Sequence, residues 1–173
     1  MKSLIKELLR EALEEANLFH GSSISGIKKL SLKYMKTGEF GYGIYLTTSL
    51  STANAYGKYI YKVTLNKGDY FDGSYTKEQL IKIKEEANKN NIKLHKWMNE
   101  GQLLSSNWMY EYLSFELGGD KNASEFLKRA GIDGKIIWGI NSYGKPIDTD
   151  RLSGKNYVVF DENDVTIISE ETR

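Results

Sequence analysis

This sequence predicts an α+β domain on a mixed or antiparallel sheet, and three observations predict it. Stretches with strand character lie toward both ends of the chain, and charged helical stretches lie between them. The strand-like stretches do not alternate one for one with helices, as a regular parallel βαβ array requires. The chain has 173 residues, of which 40% are hydrophobic and 27% charged, enough for a single domain over residues 1–173 with a full core.

The elements follow in order. In "SLIKELLREALEEANLF", Leu4, Ile5, Leu8, Leu9, Leu13 and Ala16 recur at helical spacing, which predicts an amphipathic N-terminal helix over residues 1–17. Glu7, Glu11, Glu14 and Glu15 argue against a signal or transit peptide. The apolar stripe docks on the domain or, as the alternative, serves a partner. Leu18 and Phe19 read as a short strand ending at His20, and residues 26–38 as a turn with a brief helix. "GIYLTT" is a strand by its aromatic and β-branched content. "SLSTANAYGK" is a helix that Ser49 or Ser51 can cap and Gly57 can end. "YIYKVTLN" alternates as a strand. "GDYFDG" is a turn-rich connection with room for a short strand.

The central region is helical. Thr76 with Gln79 makes a capping box at the head of residues 76–90. Residues 94–119 hold one or two more helices, closed by Gly118 and Gly119, and "NASEFLKRAG" is a short helix with Gly131 beyond its end. "DGKIIWGI" is a strand, the loop that follows contains Pro146, and "KNYVVFDENDVTIIS" supplies two β segments around Asp161–Asp164.

Composition narrows the chemistry. A net charge of +1 leaves no overall electrostatic footprint for nucleic acid or an anionic membrane. No stretch is long and apolar enough to span a bilayer. Without cysteine there is no disulfide framework and no thiolate zinc site, and His20 and His95 lie too far apart to suggest a metal centre. The lysine- and tyrosine-rich "YGKYIYK" could stack on bases and touch phosphates, or be a strand with one exposed face.

Three motifs carry the functional reading. "FHGSS" places His20 before Gly21, which lacks a side chain that would keep a ligand from the backbone. "FGYGIYLTTSLSTANAY" sets Tyr45 and Tyr56 eleven positions apart, with Gly41 and Gly43 ahead of them. Two such rings could enclose a flat aromatic ligand, although either could equally be a core aromatic. "KNYVVFDENDVTI" is the third.

In this order and spacing the motifs resemble the ADP-ribosyltransferase superfamily, in its diphtheria-toxin-like and poly(ADP-ribose) polymerase-like, His-Tyr-Glu-type branch. The resemblance covers about residues 17–168, with residues 75–122 as a poorly matched helical insert. It implies a split mixed or antiparallel sheet with flanking helices, and NAD as substrate without a metal. His20 would hydrogen-bond a ribose hydroxyl, the Gly21 backbone would bind the nicotinamide carboxamide with Ser22 beside it, and Tyr45 and Tyr56 would sandwich the nicotinamide ring. Cleaving the nicotinamide–ribose bond creates an oxocarbenium-like centre, as glycoside cleavage does, so the site must fix the leaving group and orient the sugar.

Two positions depart from the family pattern. Ala53 stands where the family has a hydroxyl residue, a loss of about 0.5–1.5 kcal/mol for one hydrogen bond. Asn156 stands at the catalytic glutamate position. An asparagine can hydrogen-bond a ribose hydroxyl but supplies neither negative charge nor a general base, so no polymer is expected. The expectation is a mono-ADP-ribosyltransferase acting on a protein or nucleic-acid acceptor. A module that binds NAD or ADP-ribose without turnover and a phage-type interaction protein are the alternatives. Asp148, Asp150, Asp161 and Glu162 are candidates for the missing acid, and Trp97 and Trp108 for shaping acceptor recognition or packing the insert. Similarity to phage and mobile-element members implies a phage or bacterial effector acting in a bacterial cytoplasm, and a monomer away from membranes is expected.

Overall fold

The computed structural model describes residues 17–35, 38, 40–95, 105–138 and 154–173. In chain order these form β1 (Leu18–Ser22), β2 (Ile44–Thr47), α1 (Leu50–Tyr56), β3 (Tyr59–Leu65), β4 (Tyr70–Asp72), α2 (Lys77–Lys89), α3 (Ser106–Leu117), α4 (Asp120–Arg129), β5 (Gly134–Trp138), β6 (Lys155–Val159) and β7 (Val165–Thr172). The N-terminal helix expected over 1–17 falls on residues 1–16 outside the described set. So do Pro146, Asp148, Asp150 and Trp97.

Local chemistry explains most of the helix ends. Ser49 accepts the Thr52 N–H at the start of α1, and Thr76 and Gln79 form the reciprocal capping box of α2. Gly118 takes a left-handed conformation (φ 77°) after α3, and Gly131 does so (φ 79°) beyond α4. β1 runs further than its sequence suggested. His20, Gly21 and Ser22 pair with Tyr61, Ile60 and Tyr59 of β3, and that long-range ladder extends the strand.

The sheet has seven strands in the order β4-β5-β6-β2-β1-β3-β7. β4 and β5 run parallel, and every other neighbouring pair is antiparallel. The molecule is therefore α+β with a mixed sheet. Paired residues share a face, so the ladders sort the core. On one face α2, α3 and α4 bury Ile83, Met109, Tyr110, Leu113, Phe126 and Leu127 against Phe71, Ile137 and Val158. On the other, Leu18, Ile44, Leu46, Tyr61, Val63, Tyr157 and Val159 pack under Leu30. Each such side chain contributes about 1.5–3 kcal/mol on burial. The described helices of the 75–122 stretch thus supply one layer of this core. Trp108 stays 41% exposed and stacks on Tyr112 at 5.7 Å.

Candidate functional site

The sheet parts next to His20. β1 meets β3 over its whole length, but it meets β2 at one pair, Phe19 with Thr47. Beyond that pair the imidazole bridges the two strands, with His20 Nδ1 2.9 Å from the carbonyl oxygen of Tyr45. A carbonyl can only accept, so Nδ1 carries the proton and Nε2 presents its lone pair. Burial lowers the pKa of His20 and the bond to Tyr45 opposes that only in part. At pH 7 the ring is neutral.

Gly21 and Ser22 face α1. A Cβ on Gly21 would stand 1.9 Å from the Ala53 carbonyl oxygen and 3.2 Å from the Tyr56 Cβ. A Cβ on Gly57 would stand 2.1 Å from the Ser22 carbonyl carbon. The missing side chain of Gly21 therefore serves helix-on-strand contact. The sequence reading assigned it to a ligand's approach; the neighbour at that position is the backbone of α1. Ser22 Oγ accepts the Ile24 N–H at 3.1 Å. Ala53 is buried, and Tyr56, one turn later, is 54% exposed.

Tyr45 is fixed at both ends. Its backbone carbonyl receives His20. Its hydroxyl donates to the Gly41 carbonyl at 2.8 Å and accepts the Phe40 N–H at 3.1 Å. Burial raises its phenol pKa, and the nearby Tyr110 and Tyr56 add to the effect. Gly41 has to be glycine, because its φ is 108° and a Cβ there would lie 2.5 Å from the Tyr110 ring. The glycine-rich stretch ahead of β2 thus folds onto the hydroxyl of Tyr45 and the ring of Tyr110.

Asn156 stands one strand further on. It pairs with Thr47 on β2 and Ile137 on β5, and it is 5% exposed. Its Nδ2 donates to the carbonyls of Ile137 at 3.4 Å and Gly154 at 3.3 Å. Gly21, Tyr45, Thr47 and Asn156 share the face that carries α1, whereas His20 pairs with Tyr61 on the opposite face. His20 reaches that set through the backbone carbonyl of Tyr45.

The described candidate acids are engaged elsewhere. Asp161 Oδ2 lies 2.6 Å from Lys128 Nζ, and Glu162 accepts from Leu32 N at 2.8 Å and Ser31 Oγ at 2.9 Å. Both follow β6 at the end away from Asn156. Sequence reasoning overlooked Thr47, Tyr110 and Ser124. Tyr110 sits in the aromatic run of α3, and no short-range pattern ties it to a turn 68 residues earlier. An open cleft of about 500 Å³ runs along the end of α1, lined by Asn54, Ala55, Tyr56, Gly57, Lys58 and Arg173. Of the candidate residues it touches Tyr56 alone. Among the described residues no group of three or more His, Asp or Glu could hold a metal, and no helix is long and apolar enough to cross a membrane.

No protein-family model matches this chain. A search of curated proteins returned no match either.

Proposed function

We propose that the parting between β1 and β2 is a nicotinamide site, and that the protein is a mono-ADP-ribosyltransferase that moves ADP-ribose from NAD to a protein or nucleic-acid acceptor. The observation that carries this reading is the bridge from His20 to the Tyr45 carbonyl across strands that have ceased to pair. A neutral imidazole with its proton on Nδ1 offers Nε2 to a ribose hydroxyl. Tyr45, fixed at its hydroxyl, and the exposed Tyr56 of α1 supply the aromatic walls. In the reaction the nicotinamide–ribose bond breaks and nicotinamide leaves with the bonding electrons. The acceptor nucleophile then bonds to the ribose carbon and gives up its proton.

Asn156 favours a second reading, in which NAD or ADP-ribose is bound without turnover. Its carboxamide is turned toward two carbonyls and brings no charge to the sugar. One experiment separates the two. Purified protein and a bacterial lysate are incubated with labelled NAD, with His20→Ala as control. The transferase reading predicts label on macromolecules that disappears with His20→Ala. Calorimetric NAD binding without label transfer would leave the binding module, and no NAD binding at all would end both readings.

A further inference from the structure

β5 carries a lysine on a face where its neighbours are apolar. Lys135 lies between Phe71 of β4 and Val158 of β6, in a cross-strand row that continues to Tyr45 of β2. It is 3% exposed. A buried ammonium is normally met by a carboxylate. Here Nζ stands 3.9 Å above the centre of the Tyr110 ring, and no carboxylate of the described residues lies within ion-pair distance. Asp120 of α4 and Glu111 of α3 act on it at longer range.

Tyr110 in turn organises the turn before β2. Its hydroxyl accepts the Tyr42 N–H at 3.0 Å and shares its own hydrogen between Ser124 Oγ at 2.8 Å and the Asp120 carbonyl at 3.0 Å. Ser124 Oγ donates to the Tyr42 carbonyl at 2.6 Å, so both backbone groups of Tyr42 are held. The ring lies under Gly41, whose carbonyl receives the hydroxyl of Tyr45.

We infer that Lys135 is a positioning residue for the proposed nicotinamide pocket, holding the Tyr110 ring and through it the Phe40–Gly43 turn and Tyr45. This rests on the NAD reading, since the pocket is the one that reading describes. A cation over a desolvated ring is attracted by its quadrupole, and the attraction ends when the ammonium loses its proton. Burial brings the Lys135 pKa down to about 8, with Asp120 and Glu111 opposing. The nearby titrating groups stay silent as pH rises past 8. His20 is already neutral, and the phenols of Tyr45 and Tyr110 are shifted upward.

The test is NAD calorimetry and amide hydrogen exchange at Tyr42 between pH 7 and pH 9.5, on wild type, Lys135→Met and Tyr110→Phe. Exchange is corrected for its intrinsic pH dependence. In wild type, NAD affinity and Tyr42 protection should each fall about tenfold as pH rises past 8. Lys135→Met should show both losses already at pH 7, with no further pH dependence and an undiminished melting temperature. Tyr110→Phe keeps the ring under the cation and loses the hydroxyl, so it should lower protection at Tyr42 yet retain the pH step in NAD affinity. Unchanged affinity and protection in Lys135→Met would overturn the inference. If wild type binds no NAD, the functional reading fails by itself. Tyr42 exchange then still decides whether Lys135 holds the turn.

Discussion

The carboxamide of Asn156 points its donors at two backbone carbonyls, an arrangement a carboxylate cannot copy. An acid placed here by Asn156→Glu would set a buried negative charge against those acceptors. The variant is expected to lose about 1–3 kcal/mol at pH 7. Desolvation raises the pKa of the new carboxyl, so the loss should shrink as pH falls and the group takes a proton. Urea melts at pH 7 and pH 5 measure it, and equal losses at both would contradict this account of the site. At this scale the sequence was partly legible. His20, Tyr45 and Tyr56 stood out through their glycine neighbours and spacing. Lys135 did not, because one lysine in an apolar strand reads as a solvent-facing position until the cross-strand row shows otherwise.

Among the elements, α1 sits on β1 by backbone contact, through Gly21 against Ala53 and Gly57 against Ser22. Gly21→Ala should push the helix off the strand, at about 1–3 kcal/mol for an overpacked contact. Because α1 carries Tyr56, the proposed nicotinamide site should weaken as well, read as a fall in NAD affinity. Thermal melting and calorimetry on the same variant check both, and a neutral melting temperature would mean that α1 does not depend on that approach. Element ends were legible where a short-range signal exists, as with the Ser49 cap, the Thr76–Gln79 box and Gly118. β1 was read too short because the partner that extends it lies some forty residues away on β3. The parallel pairing of β4 with β5 was equally invisible, for the same reason.

Across the whole molecule, Glu162 ties the turn between β6 and β7 to the segment before β2, through Leu32 N and Ser31 Oγ. The Leu32 and then the Ser31 bond hold its pKa below the usual 4.5. For a depressed acid the stabilisation is present above the unfolded value and disappears as pH drops through the folded one. Wild type should therefore lose stability below about pH 4.5 more steeply than Glu162→Gln, by thermal melts from pH 6 to pH 3. Parallel curves would remove Glu162 from the account. The α+β class was legible because it depends on composition and the order of elements. Strand order was not, since it rests on pairings between distant segments.

That strand order has a kinetic consequence. β6 is among the last strands in the chain, yet it lies between β5 and β2 and joins β4-β5 to β2-β1-β3. Until residues 155–159 arrive, the facing edges of β5 and β2 stay unpaired, and the edge of β3 still waits for β7. Such edges invite pairing with other chains. Completion of the sheet is therefore a late, non-local step, slow by the measure of contact order. The strand that carries Asn156 is thus also the one that joins the two halves of the sheet.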